Sequence, residues 1–426
     1  MLARFATLAA LPLLALAQSS EPVGNGTGVD ENGKYEISSE GIRAHFIPYG
    51  ASISNLFIKD VHGEERDIVL GFDNASYYEV DKQHPHLGGV PGRYANRIMN
   101  STFEIDGEVY EVDANEHGGL NTLHGGSKFN RRMFETRRVA NTPPTENGWD
   151  WRNWTVVAHT ADSITFSLMD PDGEMGFPGD VISYVTYTLT PYNWHIYMSA
   201  FSLTHKTPIM LSSHTYWNLD GFQNPSTPLA LNHTLHLPYS GQRIATDGIL
   251  IPNGTVLPNQ KHSINDFWSS PKQIGANFTS PDMLGNCGTN CTGYDTCYIV
   301  NRAQNGPYDW RAAPVATLSS PWSGIQVDVY TEQEAFQVYS CGGQNGTLTL
   351  KETQGLFNDT SRPRTVQQNG CVVMEVEDWI DAINQPEWQR EKRNIYGPGD
   401  APYVLEATYS FSLNQEAKNA SCPGGY

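Results

Sequence analysis

Apolar and polar side chains alternate along several stretches of the chain. Val181–Thr190 reads Val-Ile-Ser-Tyr-Val-Thr-Tyr-Thr-Leu-Thr, and Ile164–Leu168, Ile325–Tyr330 and Ala407–Leu413 repeat the pattern with β-branched and aromatic residues. Successive side chains of a strand point to opposite faces, so period-two alternation predicts half-buried strands. Pro, Gly, Asn and Asp fall between these runs and mark turns, whereas amphipathic helical runs of any length are scarce. An all-β, antiparallel sandwich follows, in place of βαβ winding. No repeat with a period of about 20–50 residues is visible, which speaks against a propeller or a solenoid.

The start of the chain breaks this pattern. One arginine, Arg4, is followed by an apolar run closing on Ala15-Leu16-Ala17, the arrangement of a cleavable secretory signal. The run is too short for a spanning helix, and no later segment offers about 18 consecutive apolar residues. The expected organisation is a signal peptide over 1–17, an N-terminal segment over 18–40 and a single domain over 41–420 of a secreted, extracellular protein. Composition adds to this reading. Eleven Asn-x-Ser/Thr sequons, at Asn25, Asn74, Asn100, Asn153, Asn232, Asn253, Asn277, Asn290, Asn345, Asn358 and Asn419, fit a glycoprotein. The six cysteines, Cys287, Cys291, Cys297, Cys341, Cys371 and Cys422, are even in number and gathered late in the chain, so disulfides are expected. Cys287 and Cys291 have the look of half a zinc site, but no second ligand pair follows. A formal charge of −19 disfavours nucleic acid and anionic membranes as partners and leaves neutral ligands unaffected. Sequence does not set the oligomeric state; a monomer is the expectation.

Candidate chemistry sits in short glycine-flanked motifs. Arg97 and Asn96 lie in Gly92-Arg93-Tyr94-Ala95-Asn96-Arg97-Ile98, and His124 lies in Leu123-His124-Gly125-Gly126. Gly176-Phe177-Pro178-Gly179-Asp180, Ser213-His214-Thr215-Tyr216-Trp217-Asn218, Asp247 before Ile251-Pro252, and Glu375 six residues before Asp381-Ala382-Ile383-Asn384 follow in order. Each motif alone is weak. The ordered set, running from about Gly50 to Asn384, resembles the aldose 1-epimerase (galactose mutarotase) family. The resemblance implies a β-supersandwich, a monosaccharide bound on one sheet, and neither cofactor nor metal.

It also implies the roles. Glu375 is the expected base and His214 the expected acid in opening and reclosing a hemiacetal ring, with His124 as a second histidine stabilising charge on an oxygen. Burial should push Glu375 upward, and a nearby carboxylate should help His214 keep its proton. Asn96, Arg97, Asp247 and Gln337 match positions that hold sugar hydroxyls, with Arg97 offering a rigid fork of donors. Arg93 reads as structural. Of Tyr216 and Trp217, adjacent in an alternating strand, one should face the core, and Trp217 is the choice. Cys341 and Cys371, near the ends of the strands carrying Gln337 and Glu375, are expected to be bridged.

Other readings compete. Taken singly, Glu375 would be a strand carboxylate paired with arginine and His214 a satisfied core histidine. His124-Gly125-Gly126 resembles an esterase oxyanion loop, but no Gly-x-Ser-x-Gly elbow accompanies it. A glycosidase needs two carboxylates at a set separation, for which Asp247 with Glu375 is the obvious pair. A non-catalytic carbohydrate-binding protein would dispense with His214 or Glu375. A sugar-phosphate epimerase would need a basic pocket. His84-Pro85-His86 is expected to be a solvated loop, and Asp113, Glu116 and His117 a turn. The chain departs from the family at Glu377, where glutamine is usual, at Ile380, and at Phe134, where a tryptophan is usual. A charged insert, Glu387–Arg393 within 385–402, is read as a surface loop in preference to a cap over the site.

Overall fold

The computed structural model describes residues 28–414, apart from 82, 85, 127–146, 303–308, 360 and 363. The signal segment 1–17, the sequons at Asn25 and Asn419, Cys422 and Phe134 lie outside the described residues.

The alternating stretches become strands of a nine-stranded antiparallel sheet. Its order is Lys272–Gln273, Thr234–His236, Ala316–Ser319, Ile325–Thr331, Tyr403–Leu413, Asn193–Ser202, Val181–Thr190, Ser163–Asp170 and Thr155–His159. In Val181–Thr190 the odd-numbered residues are buried and the even-numbered ones half-buried, as period two requires. Six strands form a second antiparallel sheet, in the order Tyr216–Trp217, Val372–Glu377, Ala335–Tyr339, Asp295–Ile299, Gln242–Thr246 and Pro252–Pro258. A four-stranded sheet built from Tyr35–Ser39, Ile42–Ile47, Ser52–Lys59 and Glu65–Asp67 completes the core.

The largest hydrophobic cluster lies between these sheets. Trp194, Met198, Val329, Leu405 and Tyr409 of the nine-stranded sheet meet Trp217, Phe336, Val338, Met374 and Val376 of the six-stranded one, with Phe46 and Leu56 from the four-stranded sheet. Trp217 stacks on Tyr409 at 5.5 Å between ring centroids and is fully buried, as expected. Truncating so large a buried ring costs about 3–5 kcal/mol.

Two features differ from expectation. The strand Tyr35–Ser39 pairs along its length with Ile42–Ile47, so a domain start at 41 would cut a hairpin. The insert is anchored to the body of the fold and is not a free loop. Its Arg390 reaches Asp378 and Glu334, Asn394 is buried against Asp378 and Tyr94, and Ile395–Tyr396 pairs with Thr207–Pro208. Two disulfides join Cys287 to Cys291 and Cys341 to Cys371, the latter as expected, while Cys297 is free and buried.

Candidate active site

The six-stranded sheet sorts its side chains by register. Gln337 pairs with both Glu375 and Cys297, and Tyr339 pairs with both Val373 and Asp295, so these residues share one face. Val372, Met374, Val376, Phe336 and Val338 occupy the other face, in the core. Tyr216 pairs with Val373 and Trp217 with Val372, which places Tyr216 on the polar face and Trp217 in the core. His214, two residues before Tyr216, comes down beside Glu375, and the histidine Nε2 lies 3.2 Å from a Glu375 carboxylate oxygen.

A second layer comes from the motifs near residue 100. The short strand Arg97–Ile98 pairs with Thr122–Leu123. The His124 N–H donates to the Asn96 carbonyl at 2.9 Å, and the Asn96 N–H donates to His124 Nδ1 at 3.1 Å. Gly125, with φ of +75°, has no room for a side chain, because a Cβ would stand 2.0 Å from the Gly92 carbonyl oxygen. This close approach is why the histidine is followed by glycine. Asn96 Nδ2 donates to Glu377 at 2.9 Å. Arg97 forks onto Glu116 at 2.9–3.1 Å and lies 3.6 Å from Asp295. Glu116 sits in a turn, as expected, but its carboxylate serves the site.

Ligating atoms of His124, His214 and Glu375 lie within 4.8 Å of one another. Because His124 Nδ1 accepts a backbone N–H, a neutral His124 ring carries its proton on Nε2, which then has no lone pair to give a metal. The set is better suited to hydrogen bonding and proton transfer. Among the described residues, Glu375 Oε2, Glu377 Oε2, Gln337 Oε1 and His214 Nδ1 are buried without a hydrogen-bond partner. Unspent buried polar atoms are costly, and four on one sheet face suit a ligand rich in hydroxyl groups.

Burial dominates the electrostatics. It lifts Glu375 to about 8, with Asp295 adding to the rise and Arg97 opposing it. Glu377 is pushed well above the carboxylate range by burial and by Glu375, so it stays neutral and matches the shape and hydrogen bonding of glutamine. His214 and His124 are held well below the ordinary histidine value by burial and by His86. The expectation that a carboxylate would keep His214 protonated is therefore corrected: a neutral Glu375 offers no negative charge to an imidazolium.

The structure gathers Asn96, Arg97, His124, His214, Gln337 and Glu375, but not Asp247. That carboxylate is exposed and caps its own turn, accepting the N–H groups of Ile249 and Ile251. The carboxylate in the site is Asp295, which accepts from Gln337 Nε2 at 2.5 Å. Sequence reasoning missed it because one aspartate looks like another until strand register is known. His86 was missed too. It is no solvated loop residue: its ring lies 4.6 Å from His124 and 5.4 Å from His214, and its Nδ1 bonds Asp150. Arg93 is structural, as expected, reaching Asp170, the Pro178 and Gly179 carbonyls and Thr207.

A sequence model of the family described as aldose 1-epimerase matches residues 33–394. A probable aldose 1-epimerase of Arthroderma benhamiae is 40% identical over 93% of this chain and 90% of its own length. Human galactose mutarotase is 30% identical over 83% of this chain and 87% of its own. The structure of a GalM/aldose epimerase homologue from C. elegans superposes with a TM-score of 0.70 at 25% identity, covering 89% of this chain and 99% of that one.

Proposed function

The chain belongs to the aldose 1-epimerase family, and on that premise we propose that it interconverts the α and β anomers of a free hexose, such as glucose or galactose, through Glu375 and His214. The observation that carries the assignment is the 3.2 Å approach of Glu375 to His214 on a sheet face with unspent hydrogen-bonding atoms. Ring opening takes a proton from the anomeric hydroxyl, breaks the bond from C1 to the ring oxygen, and delivers a proton to that oxygen. Rotation about C1–C2 and reclosure on the other face reverse the two transfers. Nothing is consumed, and the pair needs only one proton between its two members.

In the free protein that proton rests on Glu375, since burial raises the carboxyl to about 8 and lowers His214. Its transfer across 3.2 Å gives the carboxylate and imidazolium required of base and acid, with no change in net charge. His124 stabilises charge on the oxygen being released. Asn96, Arg97, Gln337 and Asp295 hold the remaining hydroxyls, Asp295 in the place expected of Asp247.

Polarimetry on freshly dissolved α-galactose tests the reading. The protein should accelerate relaxation, and Glu375→Gln and His214→Asn should each abolish the acceleration while galactose still binds. Relaxation at the spontaneous rate with wild-type protein would sink the proposal.

We also infer export. Of the nine sequon asparagines among the described residues, all but Asn277 are exposed, as accepted glycans require, and two disulfides suit an oxidising compartment.

A further inference from the structure

We propose that His86, held by Asp150, is a positioning residue of the epimerase site, fixing the ring of His214 and, to a smaller extent, that of His124 for proton transfer. The inference rests on reading His214 as the partner of Glu375.

An acid/base histidine is normally oriented through its second nitrogen, which is hydrogen-bonded to a carboxylate or carbonyl. His214 lacks this among the described residues: Nε2 faces Glu375, and Nδ1 is buried without a hydrogen bond. What is left to fix its plane is packing. Three rings supply it, Tyr216 at 4.8 Å, His124 at 5.1 Å and His86 at 5.4 Å. Tyr216 lies two residues on in the same segment, so it moves with His214. His124 is external too, and His86, from a further segment, touches both histidine rings.

That segment is tied to His214 through the backbone as well. The Gly88 N–H donates to the His214 carbonyl at 3.0 Å, and the His214 N–H donates to the Gly89 carbonyl at 2.9 Å. His86 is in turn immobilised. Its Nδ1 bonds Asp150, whose side chain is fully buried and whose other oxygen has no partner among the described residues. Asp150 sits in a 3-10 turn between the buried Trp149 and Trp151, with the Trp149 indole donating to Asp170 at 2.8 Å. The Trp151 ring meets His86 edge-on at 5.5 Å. Gly89 lets the loop lie against this turn, since a Cβ there would come 2.9 Å from the Asp150 Cβ. His124 is oriented independently through Nδ1, so although His86 also touches it, the larger effect falls on His214.

The alternative is a plain structural staple between the loop and the turn, and the test separates the two. Galactose mutarotation, thermal unfolding and the imidazole nitrogen signals of His214, assigned by their loss in His214→Asn, are measured for the wild type, His86→Ala, His86→Phe and Asp150→Asn. Misplacing a reacting group by about 1 Å costs on the order of 10²-fold. His86→Ala should therefore lower kcat by about 10- to 100-fold, leave KM within about threefold, and shift or broaden the His214 signals. His86→Phe, which keeps a ring but cannot bond Asp150, should recover part of the rate, and Asp150→Asn, which keeps an acceptor, should lose less than His86→Ala. A wild-type kcat in His86→Ala overturns the proposal. So does a fall in kcat and KM tracking lost thermal stability with unchanged His214 signals. Failure of the parent reading is a separate outcome, visible as a wild-type protein without activity or a Glu375→Gln variant that keeps it.

Discussion

Glu375 carries two measurable consequences of its burial. The proposed acid/base pair needs one proton, and with Glu375 at about 8 that proton is lost as pH rises past that value, so kcat/KM should fall on the alkaline side of about 8. On the acid side, activity should persist below the ordinary histidine range, because His214 resists the second proton. A pH–rate profile with galactose checks both limbs. The same shift bears on stability. A carboxyl whose folded pKa is raised from 4.5 to about 8 favours the folded state below 4.5, and that contribution is lost as pH rises to 8. Glu375→Gln should then gain stability over the wild type between pH 5 and pH 8, by an amount on the order of a few kcal/mol, read by denaturation at both values. Glu377 makes the contrasting case. Held neutral beside Asn96, it already acts as an amide would, and Glu377→Gln should keep mutarotation within about threefold of wild type.

At the scale of strands and loops, sequence pattern went as far as local periodicity allows. Alternation exposed the long strands of the nine-stranded sheet, and the short pair Tyr216–Trp217 divided between site and core as alternation required. Asp295 in preference to Asp247, and His86 in preference to a solvated loop, could not be read that way. Each depends on which strand lies beside which, a long-range fact with no local signal. A buried amine pair shows the same limit at the four-stranded sheet. Lys34 donates to Asn55 at 2.7 Å and to the Phe72 carbonyl at 2.8 Å, while Lys351 pairs with Asp67 at 2.8 Å. Burial, then Lys351, lowers Lys34 to about 7 from 10.5. Between those values the unfolded chain binds the extra proton, so folded stability rises with pH across the window. Relative to Lys34→Met, the wild type should gain on the order of 1–2 kcal/mol between pH 7 and pH 8.5, measured by urea unfolding.

Across the whole molecule, charge separates the favoured substrate from its nearest rival. A formal charge of −19 surrounds a site in which Arg97 is already committed to Glu116 and Asp295, and where Asp150 adds a further acidic group. A neutral hexose feels none of this field at long range, whereas a sugar phosphate must approach against it and then find a cation that is not already paired. The kcat/KM for galactose should therefore change by less than about twofold between 20 mM and 500 mM salt, since steering acts only on charge. Galactose 6-phosphate should be turned over at least about tenfold less efficiently at low salt, with the gap narrowing as salt screens the repulsion. Anomeric proton signals follow both substrates in one experiment. Equal efficiency at low salt would mean that a phosphate site exists in this fold and that the acidity of the chain lies elsewhere than around the bound sugar.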